Sequence, residues 1–219
     1  MASKRTAPPR LDPIVLRDLR EGHPDALEPH ETVEGERFTA ADLSGRDLSG
    51  ATFLECEFSG LAAHETDLRA ASFVESTIER LDAPIFAAPR SRFREVSIAS
   101  SRLGSAEFFE ASWSSVRLEQ CKLGYLNLGG AALEDVLFTD CTIDELDLSD
   151  ARVTRLAFEN CEVRTLRLTR SRLTDVDLRG LELNALLDAE GLRGATLSDT
   201  QVAQLATLFA TQLGIRIDP

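Results

Sequence analysis

Ala41-Asp42-Leu43-Ser44-Gly45, Arg46-Asp47-Leu48-Ser49-Gly50 and Ala51-Thr52-Phe53 repeat one five-residue phrase nearly three times in succession. Stepping by five in both directions keeps the phase. Phe38, Leu43, Leu48, Phe53 and Phe58 begin a series that runs through Phe93, Trp113, Leu128, Leu148 and Leu168 to Leu183, and all 30 members are apolar. At 43% apolar composition chance would produce such a run with a probability on the order of 10⁻¹¹, so the period is a property of the fold. The residue two before each centre is also inward in character and is apolar in 23 of 30 cases, among them Cys56, Leu126, Val136 and Leu166. The residue between the two is apolar in only 5 of 30, so it points to water.

A period of five fits neither an amphipathic helix nor an ordinary alternating strand. Two inward residues flanking one outward residue describe a very short strand, and the remaining two residues turn a corner. Four such sides close a square of twenty residues. Squares can stack as parallel strands about 4.8 Å apart. A second-order repeat supports the square independently: Cys121, Cys141 and Cys161 recur at spacing twenty, as do Leu126, Leu146 and Leu166, then Ala131, Ala151 and Ser171, and Val136, Leu156 and Val176.

The phrase Ala-(Asp/Asn)-Leu-x-x at residues 41–53 resembles the signature of the pentapeptide-repeat family. The resemblance extends over about residues 36–188. It implies an all-β solenoid, a right-handed quadrilateral parallel β-helix, here closed by a C-terminal capping helix. Seven and a half coils would make a rod about 36 Å long. The layout is similar to actinobacterial members and to the quinolone-resistance branch, whose members bind DNA gyrase as dimeric DNA mimics. The function so implied is non-catalytic protein binding, with DNA gyrase as the suggested partner. A structural scaffold with an unrelated protein partner is the alternative, because a fold does not fix a function.

The flanks read differently. Residues 1–10 are small, basic and proline-containing, and read as a disordered tail. Residues 11–35 read as an N-terminal capping arm, a short helix or an irregular segment over the first coil. Residues 189–219 read as a C-terminal cap. Within it, Ser198-x-x-Gln201 is a capping box opening a helix over about 199–213, and Gly214 is placed to end it. Val202, Leu205, Leu208, Phe209 and Leu213 are expected on one helical face. That face would form a lid on the last coil, or a lid and a homodimer contact through Leu205, Leu208 and Phe209.

Net charge −13 argues against direct binding to nucleic acid or to an anionic membrane, both of which need a basic surface. No apolar run approaches membrane-spanning or signal-peptide length, which leaves the cytoplasm as the default location. The four cysteines take inward positions and read as packing residues rather than disulfides or metal ligands. His23, His30 and His64 join no catalytic constellation, and no phosphate-binding glycine motif is present. The expectation is therefore no catalytic residue, no metal and no cofactor. Trp113 and Phe86 read as core fillers, with Ala83 and Ala88 compensating for the size of Phe86.

Charge offers the sharper feature. No basic residue lies between Lys122 and Arg152, whereas Glu134, Asp135, Asp140, Asp144, Glu145, Asp147 and Asp150 all do. Such a band would suit a DNA mimic. Yet Arg164, Arg167 and Arg170 follow Asp144, Asp147 and Asp150 by twenty, and Arg155 follows Asp135, so the next coil would neutralise much of it. Asp140 and Glu145 are followed by Asn160 and Thr165, which makes them the expected free carboxylates. Asp140, Asp144, Glu145, Asp147 and Asp150 are the candidate partner-binding residues.

Overall fold

The computed structural model describes residues 6–212 and 214–217. The chain winds into a parallel β-solenoid of about nine turns ending in one helix, α1 (Asp199–Gln212). Each full coil has four faces. In the coil of residues 131–150, one strand, Ala132–Thr139, bends at Asp135 to make the first and second faces; another, Thr142–Asp147, crosses from the third face to the fourth. Stacking of the coils yields a twelve-stranded and a six-stranded sheet. Register is twenty: Val136 pairs with Val116 and Leu156, and Leu146 with Leu126 and Leu166.

The local chemistry explains the phrase. The outward Asp or Asn accepts a hydrogen bond from the backbone amide two residues on: Ser44 to Asp42 at 2.9 Å, Ser49 to Asp47 at 2.9 Å, Gly129 to Asn127 at 3.0 Å and Ser149 to Asp147 at 2.8 Å. This Asx geometry fixes the turn. At most corners the fifth residue then takes a positive φ, as at Glu75 (49°), Ser100 (50°) and Asp135 (58°). The interior is filled by the centres of the repeats. Of the 30 centres, all except Leu183 are buried, and Leu183 is half-buried. Stacked Phe38–Phe58, Phe53–Phe73 and Phe73–Phe93 rings lie 4.9–5.0 Å apart, the rung spacing of a parallel sheet. Serine and threonine at buried inward positions are bonded: the Ser76 hydroxyl donates to the Val74 carbonyl (2.8 Å) and accepts from the Cys56 amide (3.0 Å), and Thr66 donates to Leu43 (2.8 Å). Pro84 and Pro89 are trans.

The solenoid is longer than the five-residue pattern. Arg20–Glu21 pairs with Glu36–Arg37, Leu27 and Val33 are buried, and Ala195–Thr196 pairs with Val176–Asp177. The first and last turns are thus built from residues whose spacing is irregular. Arg46 stands at an inward position, where its charge is anomalous. Its guanidinium reaches into the first turn, donating to the carbonyls of Pro24 and Leu27, so it fastens the end of the stack.

The N-terminal segment departs from expectation over residues 6–10. Instead of a free tail, these residues lie along the solenoid. Thr6 is hydrogen-bonded to Thr196 through their hydroxyls, the Ala7 amide donates to Asp175 (3.4 Å) and the Arg10 amide to Asp135 (2.8 Å). Ordering follows from these carboxylate acceptors, which local composition does not reveal. Residues 1–5 lie outside the described residues.

At the other end, the capping box forms reciprocally: the Gln201 amide donates to Ser198 Oγ (3.2 Å) and the Ser198 amide to Gln201 Oε1 (2.8 Å). Gln201 also donates through Nε2 to the carbonyls of Leu178 (2.7 Å) and Leu181 (2.8 Å), which docks α1 on the last coil. That contact rotates the helix relative to the expected stripe. The inward set is Gln201, Leu205, Leu208 and Phe209, while Val202 is 45% exposed. Leu213, expected on that face, lies outside the described residues. Gly214, at φ +71°, follows the helix.

Candidate functional site

The acidic band occupies one coil and is largely paired. Asp144 meets Arg164 at 3.2 Å, Asp147 meets Arg167 at 3.4 Å and Asp150 meets Arg170 at 2.6 Å. The twenty-residue arithmetic therefore holds on these columns. Asp150 is held below the usual carboxylate range by its hydrogen bonds from Arg170. Glu145 departs from expectation. Its straight neighbour is Thr165, but Arg167 reaches it diagonally at 3.0 Å. A guanidinium long enough to bridge two columns partners a carboxylate that column arithmetic leaves without a cation, and by serving both Glu145 and Asp147 it halves their charge. Asp135 pairs with Arg155 at 2.6 Å, and Arg155 also contacts Glu134. Of the five candidate residues, Asp140 alone faces no cation; Asn160 donates to it at 2.5 Å. Exposed pairs of this kind add little to stability, but they flatten the local field.

Unpaired carboxylates gather elsewhere. Asp140, Glu159, Glu162 and Glu182 cluster around the corner between the second and third faces, and among the described residues none makes an ion pair closer than 4.0 Å. Glu162 and Glu182 are direct rung neighbours. Towards the N-terminal end of that column stand Arg102 and Lys122, in register with each other and also without an ion pair among the described residues. The edge therefore carries a short basic stretch, with Asp82 in register with Arg102 beyond it. Sequence reading missed it because its members lie on three different coils. The signal was present as the third-face column Arg102, Lys122, Thr142, Glu162, Glu182 at spacing twenty.

The hydrophobic candidates divide. Leu205 is buried (7% exposed) against the last coil, whereas Leu208 and Phe209 are half-buried beside it. Phe209 lines a cleft of about 740 Å³ with Arg170, Asp188 and Gly191. Leu187 and Val202 are exposed at the same end.

The cysteines are all free and buried. The Cys141 sulfhydryl donates to the carbonyls of Thr139 and Leu118, and the Cys141 amide donates to Cys161 Sγ at 3.4 Å. Contact with Cys121, together with burial, pushes the Cys141 thiol up to about 12. Contact with Cys141, together with burial, raises the Cys161 thiol too. Such thiols are poor nucleophiles. Among the described residues no cluster of three or more His, Cys, Asp or Glu side chains is arranged to hold a metal, and no helix is long and apolar enough to cross a membrane.

Comparison with known proteins agrees with this geometry. Two family models match, "Pentapeptide repeats (8 copies)" over residues 37–73 and "Pentapeptide repeat region" over residues 111–186. No match was found among the curated proteins. Among solved structures, a trypsin-treated variant of QnrB1, a plasmid-mediated fluoroquinolone resistance protein, is similar with a TM-score of 0.52 and 22% identity, covering 87% of this chain and 91% of that one. Full-length QnrB1 gives 0.41 and 21% over 89% and 95%. HetL, a pentapeptide-repeat protein involved in heterocyst differentiation regulation from the cyanobacterium Nostoc sp. strain PCC 7120, gives 0.30 and 18% over 78% and 91%.

Proposed function

Because the chain belongs to the pentapeptide-repeat family, we propose that it is a non-catalytic protein-binding rod that acts in the cytoplasm and engages a cationic surface of its partner. The observation that carries this reading is the column of unpaired carboxylates, Asp140, Glu159, Glu162 and Glu182. A solenoid holds side chains at fixed spacing, so neighbouring charges act together on a partner. DNA gyrase, the partner implied by the family resemblance, is the first to test, with the edge rather than the Asp144–Asp150 band as the contact. The second reading, a scaffold for an unrelated protein, is favoured by the Asp–Arg ladders, since a DNA mimic gains nothing from neutralising its own phosphate-like row. A homodimer through α1 belongs to the proposal. Leu208, Phe209, Val202 and Leu187 would supply its apolar contact, while Leu205 serves the lid.

The test is inhibition of gyrase supercoiling, or protection of gyrase from quinolone-stabilised cleavage. Asp140→Asn with Glu162→Gln and Glu182→Gln should weaken the effect about tenfold, and added salt should weaken it further. No effect of the wild-type protein at tens of micromolar, a concentration at which a specific complex of even modest affinity would form, would leave the scaffold reading.

A further inference from the structure

Residues 6–19 run the length of the rod. Arg20 lies beside Glu36 in the first turn, Arg10 contacts Ser115 and Asp135 midway, Ala7 reaches Asp175, and Thr6 meets Thr196 on the last rung. Fourteen residue steps extended at about 3.3 Å reach about 46 Å. Nine rungs at about 4.8 Å span about 43 Å. The segment is therefore nearly taut, and over residues 6–17 it forms no regular secondary structure.

Its landing site is a groove of about 650 Å³. Leu137, Ala157 and Phe158 line it with Glu159, Asp177 and Arg179, and residues 6–9 and Leu11 form its other wall. Beside the groove, at the corner between the first and second faces, Asp135 and Asp175 accept main-chain amides of the strap. Asp135 is 7% exposed. Burial pushes its carboxyl up, but the Arg155 guanidinium and the Arg10 amide outweigh this and hold it below the ordinary range. Arg155 thus fixes a charged acceptor in place, and that acceptor bonds the Arg10 amide at 2.8 Å. The complement is equally clear in the strap. Over residues 6–20 it carries Arg10, Arg17 and Arg20 against Asp12 and Asp18, a net positive charge on a chain whose overall charge is −13. Pro8 and Pro9 favour an extended polyproline conformation, which lowers the entropy lost on docking.

The strap is nonetheless held lightly. Pro8 and Arg10 are exposed and the rest of residues 6–11 are half-buried. Two of the contacts, Ala7 to Asp175 and Ser115 to the Arg10 carbonyl, stretch to 3.4 Å. We propose that this groove is a docking site for an extended, cationic, proline-containing segment of a partner protein, and that residues 6–11 occupy it in cis as a displaceable pseudo-ligand. The site shares Glu159 with the acidic edge but rests on the strap contacts alone, so it stands whether or not gyrase is the partner. Tethering gives the strap an effective concentration of about millimolar. A partner segment must therefore exceed its intrinsic affinity or arrive on a larger interface.

The experiment uses the full chain with a released strap. Ala7→Pro and Arg10→Pro together remove the amides that bond Asp175 and Asp135 while leaving every solenoid residue unchanged. The probe is a fluorescent synthetic peptide of residues 1–19, followed by anisotropy. The released chain should bind it at least tenfold more tightly than the intact chain. Asp135→Asn added to the released chain should reverse most of that gain, and a peptide with Lys and Arg replaced by Glu should not bind. Equal binding by released and intact chains overturns the proposal. Should the released chain fail to fold, hydrogen exchange on the wild type decides. Exchange of the Ala7 and Arg10 amides well ahead of the rung amides supports a displaceable strap; protection equal to the rungs overturns it. A dimer that persists in Leu208→Glu but is lost in the released chain would assign the groove to the arm of a second copy, apart from any contact through α1, and overturn the partner.

Discussion

Leu148→Ala tests what holds the rod together. Leu148 is 2% exposed and stacks between Leu128 (0%) and Leu168 (1%) on the fourth face. Removing three carbon groups forfeits about 2.4 kcal/mol of transfer free energy at about 0.8 per group. The cavity term depends on whether the walls can move inward. Here they are pinned: the Leu148 amide donates to the Arg167 carbonyl at 2.9 Å, the Leu128 amide to Asp147 at 2.9 Å, and the Ala151 amide back to Leu148 at 3.0 Å. Collapse would break rungs on both sides, so a cavity of about 70 Å³ should persist and add about 1.7 kcal/mol. The expected loss is about 4 kcal/mol. Leu183→Ala is the control. It stands at the same repeat position but is half-buried at the end of the stack, so its loss should be about 1 kcal/mol. Equilibrium urea unfolding followed by far-UV circular dichroism measures both, with an unchanged m-value confirming that the difference is one of stability. A loss below about 2 kcal/mol for Leu148→Ala, or equal losses at the two sites, would show that the coils relax around a missing side chain and that pinned rungs do not set the cost.

The same geometry sets four further outcomes. Gly104→Ala should cost about 1–3 kcal/mol, because a Cβ there would lie 2.4 Å from the Pro84 carbonyl oxygen, a backbone contact with no rotamer to relieve it; an unchanged melting temperature would refute the rung geometry of the third face. Ser100→Gly should stabilise by about 0.5 kcal/mol, since relief of the left-handed strain at φ 50° slightly exceeds the entropy glycine adds to the unfolded chain; a loss of a kilocalorie or more by urea titration would contradict it. Asp135 has its folded carboxyl held low, so its contribution to stability is complete above the unfolded value near 4 and disappears as pH falls through the lower folded value. The stability gap between wild type and Asp135→Asn should accordingly be flat from about pH 5 to 8 and close in more acid solution, and a gap that closes already at pH 6 would assign it to another group. The thiols of Cys121, Cys141 and Cys161 should resist a thiol-exchange reagent at pH 8 and react only on unfolding; rapid labelling of the native protein would mean that the solenoid opens locally at this face.

Whether a feature is legible in the residues depends on whether it is periodic. The interior is, and so the centres from Phe38 to Leu178, the twenty-residue register and the straight Asp–Arg columns can be counted from the residues. The ends are not. Leu27 and Val33 close the first turn without the phrase, and Arg46 occupies an inward position that counting marks as an exception rather than as a clasp. In α1, matching apolar residues at spacing three places Val202 in the helical stripe. Gln201 takes the inward place instead, since two carbonyls at the end of the last coil need a donor. A buried polar residue that satisfies orphan acceptors carries no hydrophobic signal.

The acidic surface meets the same limit, for a reason that lies in side-chain length. Column arithmetic treats each side chain as a point above its own rung. Arginine does not behave so: Arg167 serves both Glu145 and Asp147, and Arg155 both Glu134 and Asp135. Two guanidiniums thereby offset half the charge of four carboxylates, and a row that looks uniformly negative in sequence is a weakened anionic stripe in space. The residual charge is decided by what remains after every long side chain has chosen its partners. At the corner between the second and third faces that leaves Asp140, Glu159, Glu162 and Glu182 on neighbouring coils. Rungs about 4.8 Å apart lie well inside a Debye length of about 8 Å, so these carboxylates present one field to an approaching protein. Along the same column Arg102 and Lys122 form a short basic stretch between Asp82 and Glu162, which gives the edge a charge pattern. A cationic partner is drawn to these carboxylates and repelled locally by Arg102 and Lys122, and that contrast would bias its placement along the edge before any close contact is made.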